Sequence, residues 1–200
     1  MKKQQEINGL IKRLTSRTGE ERMNAVRAMG VLLIGKTASE ALFKALRDKD
    51  ELVRIETAEA LGIIGDRHAL PVLWNALNDR SPLVRRYSAI AIGNLGVKAD
   101  AARLSMKYRQ DRSSISRVGY LQALYVLGKR DALQRLLYLL EHRDYRIRCA
   151  AAHALECCSA NSADAATAIE SLRSRLKCES TIAARSSIRS SLRTIREGKN

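Results

Sequence analysis

The sequence predicts an all-α protein, a solenoid of about six helix pairs, and three observations lead there. Leu, Ala, Arg and Ser dominate, proline occurs twice and only eight of the 200 residues are aromatic, a profile that favours helices over strands. The stretch "VRIETAEALGIIG" beginning at Val53 returns as "VRRYSAIAIGNLG" beginning at Val84, which is the mark of an internal repeat. Runs such as "ALPVLWNAL" (69–77) and "ALQRLLYLL" (132–140) carry leucines at helical spacing, and each is followed by a polar turn.

Taken in order, the chain opens with Ile7, Leu10, Ile11 and Leu14 spaced along an amphipathic helix among charges, unlike the uninterrupted apolar run of a secretory signal. Arginines then recur at Arg22, Arg54, Arg85, Arg117, Arg148 and Arg185, in steps of 32, 31, 32, 31 and 37 residues. Other columns keep their register. Four residues on stand Val26, Ala58, Ala89, Leu121 and Ala152; six on, Ala28, Ala60, Ala91, Ala123 and Ala154; seven on, Met29, Leu61, Ile92, Leu124 and Leu155. Each unit therefore has a leucine-rich first helix, a turn (Asp48–Asp50, Asp79–Ser81, Asp111–Ser113, His142–Asp144) and a second helix that starts near the arginine. Pro71 and Pro82 fall in first turns, where a missing N–H costs little. Gly62, Gly65, Gly93, Gly96 and Gly128 mark the ends of second helices, and the alanine column lets successive second helices pack closely. Repetition is required because one helix pair cannot bury its own apolar face.

The pattern resembles the HEAT-repeat family, in the short variety also called PBS-lyase HEAT-like repeats. The resemblance is carried by Asp48, Val53, Arg54, Ala58, Leu61, Gly62, Gly65, Asp66, Ala69 and Leu73, and again by Asp79, Val84, Arg85, Ala89 and Gly93. It is strong over residues 37–96 and extends to about 158. It implies a right-handed α-solenoid forming a single domain over 1–200, with an N-terminal cap unit (1–36), core repeats (37–158) and a C-terminal cap unit with a basic helix (159–200). It implies further that the turn Asp and the recurrent Arg bond between neighbouring units, which makes Arg54, Arg85 and Arg117 structural. The second helices of such solenoids line a concave groove, and the family label also carries a reading as a bilin lyase-type subunit.

Net charge is +15 and uneven: residues 1–100 carry 17 basic and 12 acidic side chains, residues 101–200 carry 19 and 9. That suggests an acidic partner, another protein with an acidic surface or a nucleic acid. No stretch approaches the ~18 apolar residues of a membrane span, and a cytoplasmic location is expected. With the Ala and Leu columns buried, the outward positions of the second helices are Asn24, Arg27, Glu56, Glu59, Tyr87, Ile90, Asn94, Gln122, Val126, His153, Ser187 and Ser190. This mixed row reads as a protein-binding groove anchored by Tyr87, since nucleic-acid grooves are usually uniformly basic. On the last helix Arg185, Arg189, Arg193 and Arg196 form a basic stripe beside Ala184, Ile188, Leu192 and Ile195; with Arg173, Arg175 and Lys177 upstream they make a candidate anion site.

Catalytic and metal chemistry find little footing. Phosphate loops, G-x-S-x-G and H-E-x-x-H are missing, and no cofactor is expected. Cys149, His153 and Cys157 stand at i, i+4 and i+8 on one helix, which spreads the two thiols over ~12 Å of helix rise, too far for one zinc. Trp74, on a first helix, is expected to pack or face outward. The sequence thus points to a non-enzymatic adaptor or scaffold, with a nucleic-acid-binding solenoid as the rival.

Overall fold

The computed structural model describes residues 2–32 and 36–198; Met1, residues 33–35 and residues 199–200, which include the extreme ends of both expected cap units, lie outside the described residues. The fold is all-α, with twelve α-helices and no strand among the described residues. Two compact units divide the chain, Met1–Val97 and Lys98–Asn200.

Met1–Val97 contains three helix pairs: α1 (Lys2–Arg13) with α2 (Gly19–Val31), α3 (Lys36–Ala45) with α4 (Glu51–Ile64), and α5 (Leu70–Ala76) with α6 (Pro82–Leu95). Its second helices pack in series, α2 on α4 and α4 on α6. The expected columns form the seam: Val26, Met29, Ala58, Leu61, Ala89 and Ile92 are fully buried. Small residues set the spacing. A Cβ on Gly30 would lie 3.1 Å from the Ala60 Cβ, and one on Gly62 would lie 3.1 Å from both Cα and Cβ of Ala91. Asp50 and Ser81 cap α4 and α6 by accepting from Leu52 N and from Leu83 and Val84 N, satisfying donors that a helix start leaves open. Gly65 ends α4 in the left-handed region at φ 81°, a conformation costly for any residue with a Cβ. Trp74 packs inward from α5 and is buried.

Lys98–Asn200 contains the other three pairs: α7 (Asp100–Gln110) with α8 (Ser114–Val126), α9 (Asp131–Leu139) with α10 (Tyr145–Ala154), and α11 (Ser162–Cys178) with α12 (Ile182–Glu197). Here α8 packs on α10 and α10 on α12. Leu121, Leu124, Ala152, Leu155, Ile188, Leu192 and Ile195 are buried. Past Ala154 the helix tightens into a 3-10 segment, Leu155–Ala160. On α12 the fourth position after the arginine, buried in five earlier units, is the exposed Arg189.

Candidate functional site

The recurrent arginines come first, because their fate decides what charge is left over. Arg22 donates through Nε and a terminal nitrogen to both oxygens of Asp48, at 2.7 Å each, and Arg54 does the same to Asp79 at 2.8 and 3.0 Å. Each arginine also donates its other terminal nitrogen to carbonyls of its own turn. Arg22 reaches Ser16 and Arg17, Arg54 reaches Asp48 and Lys49, and Arg85 reaches Asp79 and Arg80. The acid's remaining capacity goes to the N–H two residues on, Asp50 for Asp48 and Ser81 for Asp79. Burial alone would raise the Asp48 carboxyl, but the hydrogen bonds from Arg22 and from Asp50 N–H outweigh it and hold the group below its ordinary value. Asp48 therefore belongs at once to the arginine of the preceding pair, through its carboxylate, and to that of its own pair, through its carbonyl.

In Lys98–Asn200 the ladder changes chemistry. Arg148 donates to both oxygens of Glu179 at 2.6 and 2.7 Å, and the Glu179 side chain has no exposed surface. Arg175 adds a second cation, and Thr181 N–H a further bond. The hydrogen bond from Arg148 is the largest influence on the Glu179 carboxyl, which lies far below the usual carboxylate range despite burial. Arg117 departs from its expected acid partnership. The turn position that would supply its carboxylate holds His142, which instead accepts from Asp144 N–H through Nδ1. Arg117 stacks on Tyr108 at 4.5 Å and donates to its hydroxyl at 2.9 Å.

In Met1–Val97 the outward faces of α2, α4 and α6 carry the sequence-derived groove residues. Arg27 is tied to Glu56 by two bonds of 2.9 Å. Between α2 and α4 lies a depression of 330 Å3 bounded by Arg27, Glu56, Glu59 and the exposed Val31 and Ile63. Glu59 makes no ion pair among the described residues; partial burial, and then the neighbouring Glu56 charge, push its carboxyl up. On α6, Tyr87 and Ile90 are half-buried and Asn94 is exposed. Beside them stands a residue that the sequence reading missed. Arg86 holds its guanidinium 5.3 Å from the centre of the Tyr87 ring, its Nε buried without a hydrogen-bond partner. Burial pushes its pKa down, against the favourable influence of Tyr87 and Glu59. The signal was available: the equivalent position holds Ile55, Val118 and Cys149 in other pairs, so a second arginine after Arg85 breaks an apolar column.

In Lys98–Asn200, Gln122 is half-buried, Val126 is exposed, and His153 spends Nδ1 on Glu156 at 3.0 Å. The candidate anion-site arginines separate into two groups. Arg175 bridges Glu141 and Glu179, and Arg185 donates to the carbonyls of Glu179 and Leu176, so both are structural. Arg173, Arg189, Arg193 and Arg196 are exposed. Cys157 donates to the Ala154 carbonyl, and its contact with Cys158 followed by burial pushes its thiol up. Tyr125 donates to Asp164 at 2.6 Å, and Arg130 bonds both. Among the described residues no three His, Cys, Asp or Glu side chains converge as a metal-ligand set, and no helix is long and apolar enough to cross a membrane.

Paired helices, a buried Arg–acid ladder and second helices packed in series define a helical-repeat protein. Residues 7–93 match the family model of HEAT repeats. Solved structures agree on the fold. Human deoxyhypusine hydroxylase, solved with glycerol, is similar at 15% identity with 96% of each chain covered and a TM-score of 0.56. The Escherichia coli protein YibA is similar at 18% identity, 95% of this chain and 72% of that one, with a TM-score of 0.56. The complex of CpcE and CpcF of phycocyanin lyase from Nostoc sp. PCC7120 gives 18% identity, 94% of each chain and a TM-score of 0.50. At these identities the likeness is one of fold. No curated protein matches the sequence.

Proposed function

We propose that this protein is a non-enzymatic adaptor, a HEAT-repeat scaffold that holds a segment of another protein against the outward faces of α4 and α6. The observation that carries the reading is a set of polar groups with bonding capacity to spare: the Arg86 Nε, buried without a hydrogen-bond partner beside Tyr87, and Glu59 on the neighbouring helix, in no ion pair among the described residues and with its carboxyl pushed up by burial and by Glu56. Polypeptide backbone offers both complements, N–H groups for a carboxylate and C=O groups for a guanidinium, within a residue of each other. Tyr87 and Ile90 on α6, with Ile63 at the end of α4, supply apolar area for side chains. Phosphates would be repelled by Glu56 and Glu59. The most buried charges elsewhere, Arg22, Arg54, Arg148 and Glu179, are spent on the ladder, which supports a scaffold in which polar groups build structure.

The test is to capture the partner from the native host, identify it by mass spectrometry and measure its binding rates to purified variants. Truncating an aromatic anchor commonly costs ~2 kcal/mol or more, mostly as faster dissociation. Tyr87→Ala is expected to raise the off-rate at least tenfold, and Arg86→Gln to weaken binding without lowering stability. Unchanged rates in both variants would remove the reading.

A second reading, nucleic-acid binding by Lys98–Asn200, rests on Tyr138, 79% exposed on α9 one turn after Arg135, and on the exposed Tyr145 between Arg143 and Arg146. Such a surface combines stacking platforms with phosphate contacts. Its signature is a steep loss of single-stranded RNA or DNA affinity as salt rises, which the adaptor reading does not produce.

A further inference from the structure

The folded chain brings together, from two helices of Lys98–Asn200, cations that the sequence separates. Arg173 and Lys177 on α11 and Arg196 on α12 border one groove of 780 Å3, whose apolar surface comes from Ala166 and Ile169. The geometry follows from how α11 packs. Its Ala165, Ala168 and Leu172 are buried, so the stripe running through Ala166, Ile169, Arg173 and Lys177 is turned away from that seam. Among the described residues none of the three cations takes part in an ion pair, whereas Arg175, two residues from Arg173, is held by two carboxylates. Arg189 and Arg193 continue the exposed positive charge along α12 at intervals of one turn from Arg196.

We infer that the α11–α12 groove is a second docking site, and that its occupant is an acidic amphipathic helix of a partner protein. Charge complementarity commits the partner to carboxylates opposite Arg173, Lys177 and Arg196. The apolar floor commits it to apolar side chains on the same face, because charge alone would not require Ala166 and Ile169 between the cations. A nucleic acid fits less well: Glu170 stands in the lining, and no aromatic ring borders the groove to stack a base. The inference does not depend on the α4–α6 reading, since the two sites share no residue and lie in different units.

The experiment titrates the 200-residue chain, near physiological salt, with a fluorescein-labelled helical peptide of leucine and glutamate arranged with one apolar face. Three probes run beside it: a scrambled peptide of equal composition, a peptide with lysine in place of glutamate, and a single-stranded RNA of equal charge. Amide shifts in 15N–1H spectra map the contact. Expected are shifts concentrated on α11 and α12, and at least tenfold weaker binding by the scrambled and lysine peptides. The neutral variant Arg173→Gln/Lys177→Gln/Arg196→Gln and the single change Ile169→Ser should each weaken binding about tenfold, with melting curves confirming that both fold. An equal charge change at exposed positions of the other unit, Lys12→Gln/Arg13→Gln/Lys44→Gln, should leave the affinity within twofold. The inference is overturned if the scrambled peptide binds as well, if Ile169→Ser has no effect, or if RNA competes the peptide away at lower concentration. Such a failure leaves the α4–α6 proposal standing, because no variant here touches those helices.

Discussion

Eight residues after the ladder arginine, Met1–Val97 carries Gly30, Gly62 and Gly93, whereas Lys98–Asn200 carries Tyr125 and Glu156 at the same position. In the first unit the missing side chains let α2, α4 and α6 approach to van der Waals contact, and the seam is apolar. In the second, the same row reaches across by hydrogen bonds. Tyr125 meets Asp164, while Glu156 accepts from Ser191 at 2.7 Å and pairs with His153. The ladder differs in parallel, with Asp48 and Asp79 in one unit and Glu179 with an intervening His142 in the other. One repeat plan therefore tolerates an apolar glycine seam in one unit and, in the other, a polar row that ties α8 to α11 and the 3-10 segment to α12. Where the seam is made by glycine and alanine, Glu59 joins no ion pair among the described residues and the Arg86 Nε lacks a hydrogen-bond partner. Where polar cross-ties make it, His153 is consumed and the free charge lies at the α11–α12 groove.

The largest effect should come from the most buried rung. Glu179→Gln leaves Arg148 and Arg175 facing a neutral group, and breaking a buried pair typically costs ~3–5 kcal/mol. Arg117→Ala, which removes a ring contact and a hydrogen bond to Tyr108, should cost about 1 kcal/mol, both changes being read by urea titration. The Glu179 effect also has a pH signature. Its folded carboxyl lies below the ordinary glutamate value of ~4.3. The stabilisation is thus fully present above about pH 4.3 and is lost as pH falls through that value toward the folded one. Acidification from pH 7 to 3 should narrow the stability gap between the native chain and Glu179→Gln, and a constant gap would contradict the assignment.

Next in size is the glycine seam. Gly62→Val adds atoms where a Cβ already meets Ala91 backbone at 3.1 Å, and overpacking of this kind costs ~1–3 kcal/mol. Tyr125→Phe, the matching insult to the polar seam, should cost about 1 kcal/mol, because Arg130 still bonds Asp164. The smallest predicted change runs the other way. His142→Asp restores the usual turn acid opposite Arg117 and should stabilise by about 0.5–1 kcal/mol. A destabilised variant would mean that the Tyr108 contact holds Arg117 out of reach.

Much of this was legible from periodicity. The columns Val26 to Ala152 and Met29 to Leu155 are buried as read, because spacing along a helix dictates which face meets the neighbour. Arg22 and Arg185, at the two ends of the series, bond the carbonyl six residues back just as Arg54, Arg85 and Arg148 do. Glu179 was overlooked because aspartate fills that turn elsewhere, although its offset of six residues before Arg185 matches the rule. Arg117 misled for the opposite reason: its rung depends on a residue 25 positions later, and that residue is His142. Arg175 and Arg185 could not be told from Arg173 and Arg189 by spacing, since all four are basic residues on helices and only the folded chain shows which ones reach an acceptor. The grouping of Arg173 with Arg196 likewise needed two helices brought together.

The central claim is that contact with the captured partner centres on the α4–α6 face, with Arg189 and Arg193 of α12 adding only long-range attraction to it. The direct measurement is the association and dissociation rates of the captured partner with Tyr87→Ala and with Arg189→Ser/Arg193→Ser, across a range of salt. Rim charges chiefly set the rate of encounter, whereas a packed anchor sets residence time. The account predicts a faster off-rate for Tyr87→Ala, and a slower, less salt-sensitive on-rate for the arginine variant. Abolished binding in the arginine variant together with unchanged kinetics in Tyr87→Ala would contradict it.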